Sequence, residues 1–104
     1  MKKIIEGLRY DTETSEVIHA WDNGCYGGDF KRCEETLYKT KNGKYFLHGD
    51  GGPMSAYARP VGNNSVGGGE EIMPMSSDEA FEWLSTHDGE DAAEEEFPNK
   101  IEDA

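Results

Sequence analysis

Apolar and polar positions alternate along the first half of the chain and fall at helical spacing near its end. Ile4 to Tyr10 reads as a first strand, and Val17 to Trp21, rich in β-branched and aromatic residues, as a second. The turn residues between them, Asp11 to Ser15, are few enough for an antiparallel hairpin. Thr36 to Thr40 and Tyr45 to His48 are two further strands around Lys41-Asn42-Gly43-Lys44. Asn-Gly is the strongest short-range hairpin signal, because a type I′ turn needs positive φ at both central positions. Alternation puts Thr36, Tyr38 and Thr40 on one face of this hairpin and Leu37 on the other. Gly49-Asp50-Gly51-Gly52 is expected to end the fourth strand.

Pro53 suits a first helical turn and predicts a short helix through Ala58, stopped by Pro60. Val61 to Gly69, with four glycines and two asparagines, reads as a loop. Glu71 to Met75 reads as an edge strand, since Pro74 is out of place in a central one. Ser76 followed by Glu79 has capping-box spacing, and Asp78 and Glu79 complement the dipole of the helix they open. Ala80, Trp83, Leu84 and His87 share one side of it, with Phe81 widening the apolar stripe. Gly89 is expected to break this helix. Glu90 to Phe97 predicts a second, very acidic helix ended by Pro98, with Ile101 docking the terminus.

These elements predict an α+β fold: a small antiparallel sheet of four to five strands with one or two C-terminal helices packed on it. Residues 1–88 form the body, and residues 89–104 an acidic helix or tail of the same domain. A chain of 104 residues holds one core. Hydrophobic residues are 35%, below the usual range of about 45–50% that also counts glycine, so a thin core is expected. No apolar run approaches the roughly 20 residues of a membrane span. After Met1-Lys2-Lys3 only Ile4 and Ile5 precede Glu6, too short for the apolar part of a signal peptide. Cys25 and Cys33 fit a reducing compartment, and a cytoplasmic location is expected, in a host or otherwise.

Charge changes the picture most. Residues 1–69 contain 9 acids and 9 bases; residues 70–104 contain 13 acids and one base, Lys100, and so carry the whole net charge of −12. That balance argues against direct nucleic-acid binding, which needs Lys and Arg to neutralise phosphates. It favours a basic partner, or mere solubility. Glu90, Asp91, Glu94, Glu95 and Glu96 place five charges across six helical steps, one per roughly 1.8 Å, where duplex DNA carries one per about 1.7 Å. The candidate partner-binding residues are these five with Glu70, Glu71 and Asp88, joined by Tyr26 and Phe30 of the glycine-rich loop as interface anchors. Trp21, Tyr38, Tyr45 and Phe46 are assigned to the core, which is the favoured place for any one of these aromatics taken singly.

No catalytic, metal or cofactor pattern is present. His48 and Asp50 are two ligands where a metal needs more, and Cys25 and Cys33 lack zinc spacing and a local base. Gly49 to Gly52 and Gly67 to Gly69 lack both the Lys-Ser/Thr ending of a phosphate loop and dinucleotide spacing.

Three stretches, residues 5–14, 34–49 and 72–76, resemble a family of small proteins borne by phages and mobile elements, most without an assigned activity; the resemblance spans about residues 4–87. In size and charge the chain also resembles anti-CRISPR proteins. The resemblance implies an inhibitory binder that occupies the basic surface of a CRISPR effector or another nucleic-acid-binding protein, by nucleic-acid mimicry. The alternative is a structural or regulatory interaction module that uses the sheet and its aromatics, with a solubilising tail.

Overall fold

The computed structural model describes residues 1–25, 29–62 and 65–104. Its centre is a four-stranded antiparallel sheet of β3 (Glu16–Asp22), β4 (Cys33–Lys39), β5 (Tyr45–Gly51) and β8 (Gly69–Met75), in that order. Two helices, α1 (Ser77–Thr86) and α2 (Glu90–Glu96), pack on one face, and a ribbon of β1 (Lys2–Ile5) and β2 (Leu8–Asp11) packs on the other. A second ribbon joins β6 (Arg59–Pro60) to β7 (Val66–Gly67). The fold is therefore α+β, with the expected sheet and helices. Among the described residues no helix is long and apolar enough to cross a membrane.

Period-two alternation sorts the sheet's two faces. Leu37, Tyr45, Leu47 and Met73 meet Ala80, Trp83 and Leu84 of α1 and Ala93 and Phe97 of the α2 segment. Phe46 and Ile72 point the other way, under Tyr10. There Tyr38 stacks on Phe46 at 5.1 Å, and Tyr10 meets it edge-on at 5.5 Å. A bulge in β3, where Val17 faces Tyr38 but His19 faces Leu37, turns Ile18, His19 and Trp21 toward the helices.

Several expectations are corrected. Ile4 to Tyr10 is two strands, because Glu6 and Gly7 both have positive φ, 51° and 80°, and make a two-residue turn. The second of these strands pairs with β1, so β2 and β3 form no hairpin. The Asn42-Gly43 hairpin forms with Lys39 opposite Tyr45, but only Gly43 has positive φ. The Thr40 N–H donates to Lys44 O and the Gly43 N–H to Thr40 O: a type I turn closed by a glycine bulge.

β5 runs through Gly49 and Asp50 and ends only at Gly51. Residues 53–58 form turns, not a helix. The two facts have one cause. The 53–58 segment folds back across the helix-side face of β5, so that a Cβ at Gly49 would overlap the Tyr57 ring and one at Gly51 the Ser55 hydroxyl.

The capping box of α1 is present: Glu79 N donates to Ser76 Oγ at 3.1 Å, and Ser76 N to Glu79 Oε1 at 2.9 Å. Asp88 takes the left-handed position after α1, with φ of 59°. Gly89 instead allows close approach, since a Cβ there would press on Leu84.

Candidate functional site

Residues 77–104 carry eleven acids against Lys100 alone, and α1 and α2 place the segment on one face of the sheet. The charge asymmetry of the sequence is therefore a layer of the fold. Residues 89–104 are no detachable tail, because Ala93 and Phe97 are buried in the core beneath α2. The terminal segment is further held by Lys100, whose ammonium bonds Asp78 and keeps that carboxyl below its usual range.

Within α2, amphipathic spacing decides which carboxylates face water. Glu90, Asp91, Glu94 and Glu95 are exposed, and none of them pairs with a cation among the described residues. Glu96 departs from the expected row. Its side chain is only 15% exposed, and Oε2 accepts from Lys39 Nζ at 3.1 Å and Tyr45 Oη at 2.8 Å. It clamps the end of α2 to the β4–β5 hairpin. The four remaining charges span five helical steps, about 7.5 Å, still one per roughly 1.9 Å. Asp88, exposed in the link between the helices, adjoins them.

The other expected members do not gather there. Glu70 and Glu71 are successive strand residues and face opposite sides of the sheet. Glu71 pairs with Arg59 at 2.9 Å. Glu70 ends a cross-strand row that the sequence concealed: Asp22, Glu34, Asp50 and Glu70 lie opposite one another on the four strands. Such neighbours stand about 5 Å apart, and like charges there repel. Arg32 offsets the repulsion at 3.6 Å from Glu34 and 3.4 Å from Asp50, and His48 Nε2 hydrogen-bonds Glu70 at 3.0 Å.

Phe30 is 63% exposed but precedes the first residue of β4, whereas α2 is tied to the last, a strand length of about 20 Å away. Tyr26 lies outside the described residues. Tyr45 and Phe46 are core, as expected. Among the described residues no three His, Cys, Asp or Glu side chains gather to hold a metal ion. Burial, then Glu35, pushes the Cys33 thiol up, away from the reactive thiolate.

Beneath the acidic layer lies a polar centre that sequence reasoning missed. Glu35 shares the inward face of β4 with Leu37, and its side chain is 15% exposed. Its Oε1 accepts from Trp83 Nε1 at 3.0 Å and lies 3.3 Å from His87 Nε2; its Oε2 accepts from the Tyr57 hydroxyl. His87 Nδ1 donates to the Trp83 carbonyl at 2.8 Å, and its ring stacks on Trp83 at 4.7 Å. The His19 ring donates from Nε2 to the His87 carbonyl at 2.8 Å. One carboxylate thus joins β4, the 53–58 turn and α1, and sets where the acidic helices sit. The available signal was the i, i+2 relation of Glu35 to Leu37, which marks an acid on the buried side.

Burial, then the bond to Glu35, raises the Tyr57 hydroxyl well above its ordinary value. Burial and Glu96 raise Tyr45, and Glu96 raises Lys39. All three shifts have one sign. As pH rises through about 10 the unfolded chain loses these protons first, so stability is full below that pH and falls above it. Melting temperature followed from pH 8 to 11 should therefore decline at the alkaline end, with a shallower decline for Tyr57→Phe. An unchanged slope in that variant rejects Tyr57 as a source.

No family model matches the chain, and neither a curated protein nor a solved structure matches it.

Proposed function

We propose that this is a non-enzymatic binding protein that docks its acidic helical layer onto a nucleic-acid-binding surface of a partner and so excludes the nucleic acid. One observation carries the proposal: Glu90, Asp91, Glu94 and Glu95 are exposed without cationic partners among the described residues, at nearly the linear charge density of duplex DNA. The helix tolerates repulsion in the Glu90–Glu94 and Asp91–Glu95 pairs, about 0.2–0.5 kcal/mol each. A basic groove would relieve it. Burial of Ala93 and Phe97 holds the four carboxylates on a packed helix, so little ordering entropy opposes docking. An anti-CRISPR-like inhibitor of a guide-RNA effector has this chemistry, and the host cytoplasm would then be its place of action.

The test is salt-dependent capture of a guide-RNA effector by the full chain, from about 50 to 500 mM NaCl. The expected affinity falls steeply with salt. Joint E90Q, D91N, E94Q and E95Q substitution should weaken capture at least roughly tenfold and flatten the salt slope. All four side chains are exposed, so the variant retains its core. Capture indifferent to salt, or retained by the fourfold variant, overturns the mechanism.

A second mode of partner binding has its own observation. Phe30 and Met54 are each 63% exposed and adjacent, with Met54 N donating to Phe30 O at 2.7 Å. If this apolar pair anchors the partner, F30A with M54A abolishes capture while the fourfold acidic variant retains it.

A further inference from the structure

In a chain with 22 acids and 10 bases, one cavity is lined by bases alone among its charged residues. It lies between the β1–β2 ribbon and the β4–β5 turn, with a volume of about 350 Å³. Arg9 approaches from the ribbon and Lys41 and Lys44 from the turn; Thr14, Ser15 and Thr40 supply hydroxyls. None of the three cations has a carboxylate partner among the described residues, although four of the other bases, Arg32, Lys39, Arg59 and Lys100, do.

We propose that this cavity binds a small phosphate-bearing anion. Three cations lining one space repel one another, and an anion between them converts that repulsion into charge-assisted hydrogen bonds. The planar guanidinium of Arg9 suits two phosphate oxygens at once, whereas the lysines act as point charges. Thr40 Oγ1 already accepts from Lys44 N at 3.1 Å, which leaves its own proton to donate. The same contact, with the bonds closing the Gly43 turn, fixes the two lysines' backbones before any ligand arrives.

Size and surroundings restrict the ligand. The cavity is at the small end of ligand sites, about 300–1,000 Å³. The adjoining depression is lined by Glu13 and Glu16 beside Lys39 and Lys41, so a long polyanion would meet carboxylates as it left the cleft. An inorganic phosphate, a pyrophosphate or the phosphate end of a mononucleotide fits; a nucleic-acid strand does not. The site uses elements other than α2 and stands whether or not the acidic layer docks a partner.

The test is a titration of the full, isotopically labelled chain with inorganic pyrophosphate at ionic strength held constant by chloride, read by amide NMR. Saturable shifts confined to residues 7–10, 14–15 and 40–44 are expected. Parallel titrations with orthophosphate and with adenosine monophosphate distinguish a free inorganic ligand from a nucleotide: tighter binding of the nucleotide assigns the base as part of the ligand. The double variant Lys41→Gln with Lys44→Gln should weaken binding at least roughly tenfold, and Arg9→Gln, on a different element, should weaken it severalfold. Non-saturating shifts, shifts that chloride alone reproduces, or affinities unchanged in both variants overturn the proposal.

Discussion

Glu35→Ala should destabilise the fold by about 2–4 kcal/mol, because the part-buried Tyr57 hydroxyl and Trp83 indole both lose their acceptor, at about 1–3 kcal/mol each. The carboxylate accepts from Tyr57 and Trp83 and faces His87, and a methyl group accepts from none of them. Its slight exposure allows some water to enter, which keeps the figure below two full desolvation penalties. A domain of this size has roughly 5–15 kcal/mol in total, so the variant should melt at least about 8 °C lower. Urea denaturation gives the direct measure, as a lower midpoint at an unchanged slope. Glu35→Gln keeps one carbonyl acceptor and should lose less. A loss under about 1 kcal/mol in the alanine variant would show that solvent satisfies the two donors and that Glu35 organises nothing.

The second large effect is expected from the smallest change. Gly49→Ala places a methyl group where the Tyr57 ring lies, on a strand held by neighbours on both sides. Either the ring leaves, and with it the bond to Glu35, or the central strand shifts. Overpacking of this kind costs about 1–3 kcal/mol, and loss of the Tyr57 bond adds to it. Gly62→Ala is the internal control. Among the described residues a Cβ there meets only Ser65, at 3.9 Å, so its effect should stay within about 0.5 kcal/mol. Equal stability of the two variants in parallel melts would rule out the close contact of Tyr57 with β5. Gly49→Ala should also weaken the partner capture proposed for α2, since Glu35 seats the helix that precedes it.

Elements whose signals are local were legible in the chain. Ser76 and Glu79 cap α1 because both bonds of the capping box close within four residues. Pro74 marked β8 as an edge strand, and that strand lies at the edge of the sheet. The alternation around Leu37 and Tyr38 sorted the two faces of β4 correctly. Errors arose where a local signal had two outcomes. Gly7 with Glu6 turns the chain, where Ile4, Ile5, Leu8 and Tyr10 suggested one strand. Pro53 is compatible with a first helical turn and equally with the turns it occupies. Gly49 to Gly52 looked like the end of a strand because nothing nearby in the sequence shows that Tyr57 and Ser55 fill the space their absent side chains leave.

The acidic site divides along the same line. That residues 70–104 hold the whole net charge is a property of the sequence alone, as is the helical spacing that lines up Glu90, Asp91, Glu94 and Glu95. Which carboxylates remain free was decided in three dimensions. Glu96 turns inward to Lys39 and Tyr45, and Glu71 pairs with Arg59. Glu70 joins a row with Asp22, Glu34 and Asp50 that only strand register assembles, and Glu35 becomes the centre of a part-buried network. Composition and short-range periodicity are written residue by residue and survive in any fold. A carboxylate's partners come from segments tens of residues away, so its role exists only once the sheet has chosen its pairing.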